Sequence, residues 1–122
     1  MAKENHEWYV IEISSFQLDG TTTFQPTIGI LLNITPDHLD RYEYKMENYV
    51  NSKFRLIQNM KQNNHFIYYA DDAITGPETL TRKIEAAKIK VSLTDQNTPA
   101  HFDGASMVFH FGKDTFSFIQ SE

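Results

Sequence analysis

The chain carries near-continuous apolar runs separated by segments of helical period. Trp8, Tyr9, Val10, Ile11 and Ile13 form the first run, broken by one carboxylate, Glu12. TIGILLNIT, residues 27–35, is the second; NNHFIYYADDA holds the third, centred on residues 66–69; KIKVSL, residues 88–93, is the fourth. Runs of this kind predict strands covered on both faces. The spacing predicts a helix over residues 45–61 and another over 77–87. Strands alternating with helices predict an α/β fold, a mostly parallel sheet with flanking helices.

The end of the chain reads differently. In SMVFHFGKDTFSFIQ, Met107, Phe109 and Phe111 alternate with Val108 and His110, and Phe116 and Phe118 resume the pattern after Gly112-Lys113-Asp114. Period two around a turn predicts a C-terminal β-hairpin, preceded by a loop over 94–106. Its aromatics, Phe109, Phe111, Phe116 and Phe118, are expected as hairpin core rather than as a base-stacking platform.

Composition narrows the class. With 122 residues, 40% hydrophobic and 13% aromatic, the chain can build a core, which excludes a disordered reading. A net charge of −5 leaves no basic excess to neutralise phosphates, so no nucleic-acid partner is expected. There is no cysteine, hence no disulfide framework and no thiolate metal site. MAKENHEWYV has no apolar signal core, and no run reaches the ~18 apolar residues of a membrane helix. A soluble cytoplasmic protein is the expectation. His6, His65, His101 and His110 are read as surface or structural groups.

One lysine departs from its surroundings. On the helix over 45–61, Met46, Tyr49, Val50, Phe54, Leu56, Ile57 and Met60 make a continuous apolar arc, opposed by Glu47, Asn48, Asn51, Ser52, Arg55, Gln58 and Asn59. Lys53 falls within about 20° of Met46, in the middle of the apolar arc. A buried ammonium without a partner is costly. Either Lys53 snorkels to water, or it serves a site as nucleophile, ion-pair partner or carbon dioxide acceptor. Glu12 and His38 follow the carboxyl ends of apolar runs, where open α/β sheets bind ligands. On parallel neighbouring strands they would share one rim and suit a divalent cation. In NITPDHLDRY, Thr35 and Pro36 suit the start of a helix.

EISSFQL, then LNITPDHLDRY, then SKFRL resemble, in order, the central domain of the Mur ligases, ATP-dependent amide-forming enzymes of peptidoglycan precursor synthesis. The resemblance runs from about Trp8 to about Ala73, and Ser-Ser-Phe-Gln-Leu is most similar to the member that joins D-glutamate to UDP-N-acetylmuramoyl-L-alanine. It implies ATP and Mg2+ as cofactors and those two molecules as substrates. Residue by residue, it implies Glu12 as a ligand of a magnesium near the ATP γ-phosphate and His38 as a ligand of a second. Lys53 matches a lysine that is carbamylated and helps place that second ion. Ser14 and Gln17 match substrate contacts, and Asn33, Thr35, Asp37, Asp40 and Arg41 belong to the same motif, Asn33 and Asp37 on the cofactor side. YADDA resembles a family stretch in which asparagine is usual where Tyr69 stands.

A phosphate-cradling G-x-x-G-K-[ST] run does not occur in the sequence, nor does the family's HN-x-x-N motif. The expectation is a partial central ATP-binding domain over 1–122, a truncated Mur ligase central domain. It would lack the phosphate-loop half, the N-terminal nucleotide-sugar domain and the C-terminal domain. Such a chain is expected to be inactive alone and to self-associate through an exposed sheet edge. The alternatives are a fragment of a related Mur or folylpolyglutamate-type ligase, and a non-catalytic α/β interaction module.

Overall fold

The computed structural model describes residues 6–36, 39–111 and 113–119. Its sheet has six strands in chain order: β1 (Ile28–Leu31), β2 (His65–Tyr69), β3 (Ala87–Ser92), β4 (Ala100–Phe102), β5 (Ser106–Phe111) and β6 (Asp114–Ile119). β1 to β4 run parallel to one another, and β4, β5 and β6 pair antiparallel. Helix α1 (Ser15–Asp19) precedes β1, α2 (Met46–Phe54) links β1 to β2, and α3 (Thr75–Thr81) links β2 to β3. Short 3-10 turns at Leu39–Tyr42 and Arg55–Ile57 flank α2.

The core lies between the β1–β2 part of the sheet and α2. Leu31, Phe66 and Tyr68 meet Tyr49, Val50, Phe54, Leu56, Ile57 and Met60, with Leu18 joining from α1. Phe66 is fully buried, its ring stacked on Tyr68 at 5.6 Å and edge-on to Phe54 at 6.3 Å. Removing such a ring from water stabilises the fold by about 2–3 kcal/mol. The register Gly29↔Phe66 and Leu31↔Tyr68 puts these apolar positions on one face, as period two requires.

The mostly parallel α/β sheet and the terminal hairpin agree with the sequence pattern. Several elements do not. The apolar run from Trp8 to Ile13 forms no strand: the chain there is irregular, and Trp8, Val10 and Ile11 are exposed. A strand needs a hydrogen-bonding neighbour as well as apolar side chains. Among the described residues nothing pairs with this run, nor with the outer edge of β1. Glu12 therefore stands on irregular chain rather than at a strand end. The helix expected over 77–87 is α3, Thr75–Thr81, and the loop expected over 94–106 contains β4.

The hairpin keeps its register, with Phe109↔Phe116 and Met107↔Phe118. Its aromatic face is nevertheless not core: Phe116 is 48% and Phe118 62% exposed, while Val108 and His101 of the other face are buried. Alternation distinguishes two faces of a hairpin without saying which is covered. The side chain of Phe111 lies outside the described residues.

Candidate functional site

The three motif blocks meet through α1, the turn before α2, and α2 itself. At the first, Ser14 and Gln17 close a reciprocal capping box: Ser14 N–H donates to Gln17 Oε1 at 2.8 Å, and Gln17 N–H donates to Ser14 Oγ at 3.2 Å. The sequence S-x-x-Q builds this geometry, because each side chain satisfies a free N–H of the first turn. Both residues are exposed, so the turn faces solvent with its polar groups fixed. Glu12 is exposed two residues ahead of it.

The second block leaves the carboxyl end of β1. Asn33 is exposed there, and the Ile34 N–H donates to Asp72 Oδ2 at 3.3 Å, tying the loop to the end of β2. Asp72 also receives the N–H groups of Thr75 at 2.9 Å and Ile74 at 3.3 Å, so it holds the start of α3. Burial pushes its carboxyl up, but the N–H groups of Thr75, Ile34 and Ile74 outweigh this and hold it below the usual carboxylate value. Asp71 next to it is treated similarly: burial raises it, and the Ser92 hydroxyl and the Leu93 N–H bring it below that value. This pair of aspartates fixes the carboxyl edge of β2 and β3. Asp37 and His38 lie outside the described residues. The 3-10 turn Leu39–Tyr42 follows and ends on Tyr42.

Tyr42 is buried and makes the connection the sequence did not reveal. Its hydroxyl donates to Asp19 Oδ2 at 2.8 Å. Ser52 Oγ lies 2.6 Å from Asp19 Oδ1, 3.1 Å from the Tyr42 hydroxyl and 3.0 Å from the Ser15 carbonyl oxygen. The helical count puts Ser52 on the polar face of α2, yet it is 4% exposed, because α1 covers that side. Arg55, on the same face, donates from Nε to the Leu18 carbonyl at 2.9 Å and from Nη2 to the Thr21 carbonyl, and so caps the end of α1. A shallow cleft of about 430 Å³ beside this contact is lined by Arg41, Asn48 and Asn51, among others. No periodicity flags these residues; the signal was the S-x-x-Q cap, which announces a helix at 15–19 that must pack on something.

Lys53, beside Ser52, is half-buried rather than sunk in the core, and its Nζ sits 5.6 Å from the Tyr49 ring centroid. Among the described residues no carboxylate lies within ion-pair distance of it, and no three His, Asp or Glu side chains gather at one point. The described residues thus do not by themselves make up a divalent-cation site. They supply a fixed polar turn at Ser14–Gln17 and a half-covered lysine, on two helices joined by a buried network. No helix among them is long and apolar enough to cross a membrane.

Comparison with known proteins gives this arrangement a lineage. The model of the Mur ligase middle domain matches residues 1–122. A UDP-N-acetylmuramoylalanine--D-glutamate ligase of Christiangramia forsetii is 42% identical over 100% of the chain and 28% of its own length. The enzyme of that name in Cytophaga hutchinsonii is 42% identical over 92% of the chain and 25% of its own length. The one in Bacteroides fragilis is 54% identical over 64% of the chain and 18% of its own length. The chain therefore spans about a quarter of the curated relatives it matches. A solved UDP-N-acetylmuramoyl-L-alanyl-D-glutamate--2,6-diaminopimelate ligase superposes with a TM-score of 0.54 at 22% identity, over 86% of this chain and 23% of that one, which speaks for the fold. The chain belongs to the Mur ligase middle-domain family.

Proposed function

We propose that this chain is part of an ATP-dependent ligase that joins D-glutamate to UDP-N-acetylmuramoyl-L-alanine in cytoplasmic peptidoglycan synthesis. The observation that carries the reading is the 42% identity to a ligase of that printed name along the whole chain. In this reading residues 1–122 are part of the central ATP-binding domain. The phosphate-binding loop, the nucleotide-sugar domain and the amino-acid domain come from sequence beyond them.

The reaction is acyl activation. The γ-phosphoryl group of ATP passes to the substrate carboxylate, the D-glutamate amine attacks the acyl phosphate, and inorganic phosphate leaves. Such chemistry depends on positioning and on offsetting phosphoryl charge, which Mg2+ supplies when bound. Ser14 and Gln17 offer the substrate a turn whose geometry is already set by their cap. Glu12, His38 and Lys53 would stand on the metal side, with donors from the remainder of the protein, and Asn33 and Asp37 on the nucleotide side. Lys53, half-buried on α2, would be the carbamate carrier that the resemblance implies.

The test is made with the full-length gene product: phosphate release from ATP with UDP-N-acetylmuramoyl-L-alanine or its L-alanyl-D-glutamyl dipeptide counterpart, and each of D-glutamate, L-lysine and diaminopimelate. Turnover with D-glutamate alone is expected. Turnover only with a dipeptide-bearing nucleotide and a diamine would assign the chain to a sister enzyme. The 122 residues alone are expected to give no turnover, since they contain no G-x-x-G-K-[ST] run.

A further inference from the structure

We propose that Asp19, Tyr42 and Ser52 form a clamp that positions the substrate-facing turn of α1 against the helix carrying Lys53. The inference rests on the ligase reading above and adds three positioning residues to it. The clamp is built from a single carboxylate. Tyr42 donates to Asp19 Oδ2 at 2.8 Å, and Ser52 Oγ lies 2.6 Å from Asp19 Oδ1. A serine hydroxyl has one proton, and the carboxylate oxygen is both the nearer and the charged acceptor, so it outcompetes the Ser15 carbonyl at 3.0 Å. Each oxygen of Asp19 thus takes one proton, from two different elements.

The position of these residues in the chain gives the network its meaning. Asp19 is two residues beyond Gln17, Tyr42 ends the turn that follows His38, and Ser52 adjoins Lys53. Tyr42 and Ser52 thus belong to the second and third motif blocks, and Asp19 directly follows the first. α1 has only five residues, too short to hold its place by its own helical stability. Leu18 is buried and Phe16 half-buried, a small apolar anchor to which the polar contacts add direction. Tyr42 adds packing to its hydroxyl bond, stacking on Phe16 at 5.8 Å with Arg41 over the other ring at 4.6 Å. The two hydroxyls are buried, where a bond to a charged acceptor counts for more than at the surface.

The experiment uses the full-length ligase with Tyr42→Phe, Ser52→Ala, Asp19→Ala and the Tyr42→Phe/Ser52→Ala double variant, assayed well below each variant's Tm. Val108→Ala, in the distant hairpin, serves as the stability-matched control. Tyr42→Phe and Ser52→Ala are each expected to raise KM for UDP-N-acetylmuramoyl-L-alanine about tenfold, the loss of one charge-assisted hydrogen bond, and Asp19→Ala, which removes both bonds, by more. KM for ATP is expected to stay within about twofold. The double variant should be no worse than Asp19→Ala, because both hydroxyls act through that carboxylate. Asp19 is exposed, so its variant keeps the test open if a buried substitution impairs folding. Nucleotide-sugar KM values unchanged from wild type, or both KM values moving together as in Val108→Ala, would overturn the clamp while leaving the ligase reading intact. A wild-type protein without D-glutamate-dependent turnover would overturn both.

Discussion

Thr79 sits fully buried on α3, one turn after Thr75, and its hydroxyl has no hydrogen-bond partner among the described residues. An unsatisfied buried hydroxyl costs about 1–3 kcal/mol. Thr79→Val keeps the branched shape and removes that group, so it is expected to stabilise the protein by about 1 kcal/mol, read as a rise in Tm. Asp72 gives the opposite case, a carboxylate whose Oδ2 accepts three backbone N–H groups. Its carboxyl is held below its ordinary value, so its contribution is present in full above the unfolded value of about 3.9 and is lost as pH falls through the folded value. Asp72→Ala should lower stability at neutral pH by about 0.5–2 kcal/mol, the worth of a helix-start acceptor. The Tm gap to wild type should close on acidification below about pH 4. A gap that persists in acid would mean that the aspartate acts through packing instead.

The elements show where sequence patterns succeed. The hairpin register follows from strict alternation, and β2 and β3 from short β-branched and aromatic runs between turn residues. α3 shows where they fail. Its start moves from 77 to 75 because the Asp72 carboxylate collects the N–H groups of Ile74 and Thr75, an acceptor five residues ahead of the periodic segment. Its end moves back from 87 to Thr81 although RKIEA is a good helix former. β3 must begin at Ala87 to pair with His65, and the chain needs residues 82–86 to get there, so tertiary pairing overrides propensity. Gly76 records how tightly α3 packs: a Cβ there would overlap the Ala70 backbone carbonyl, which cannot move aside without breaking β2's exit. Gly76→Ala is expected to cost about 3 kcal/mol or more, measured by urea unfolding, although alanine favours helix elsewhere. Of the site, Lys53, Ser14 and Gln17 were legible as residues that break a pattern or fit a motif. Asp19, Tyr42 and Ser52 were not, because a contact between α1 and the polar side of α2 exists only once the chain is folded.

At the scale of the molecule, one face of the sheet is well covered and the other is not. α2 lies over Leu31, Phe66 and Tyr68, while Ile28, Ile30 and Leu32 of the opposite face are 47%, 56% and 68% exposed. Phe116 and Phe118 extend the exposed apolar surface at the other end, and Trp8, Val10 and Ile11 add exposed apolar side chains. Parallel sheets are stable with both faces covered, and patches beyond a few hundred Å² mark contact surfaces. Relatives about four times longer have ample sequence to cover it, which accords with the chain spanning only 28% of the first of them. The 122 residues made alone are left with that surface and with an outer edge of β1 that no strand among the described residues pairs, so they are expected to self-associate. Light scattering should give a mass that grows with concentration. Ile30→Lys should reduce it, by placing a charge on the exposed face next to the edge, and Phe118→Lys should reduce it less, since β1 offers unpaired backbone groups as well as apolar side chains. A concentration-independent monomer would mean that the bare face is stable in water. Cover from further sequence would then not be needed to explain that face.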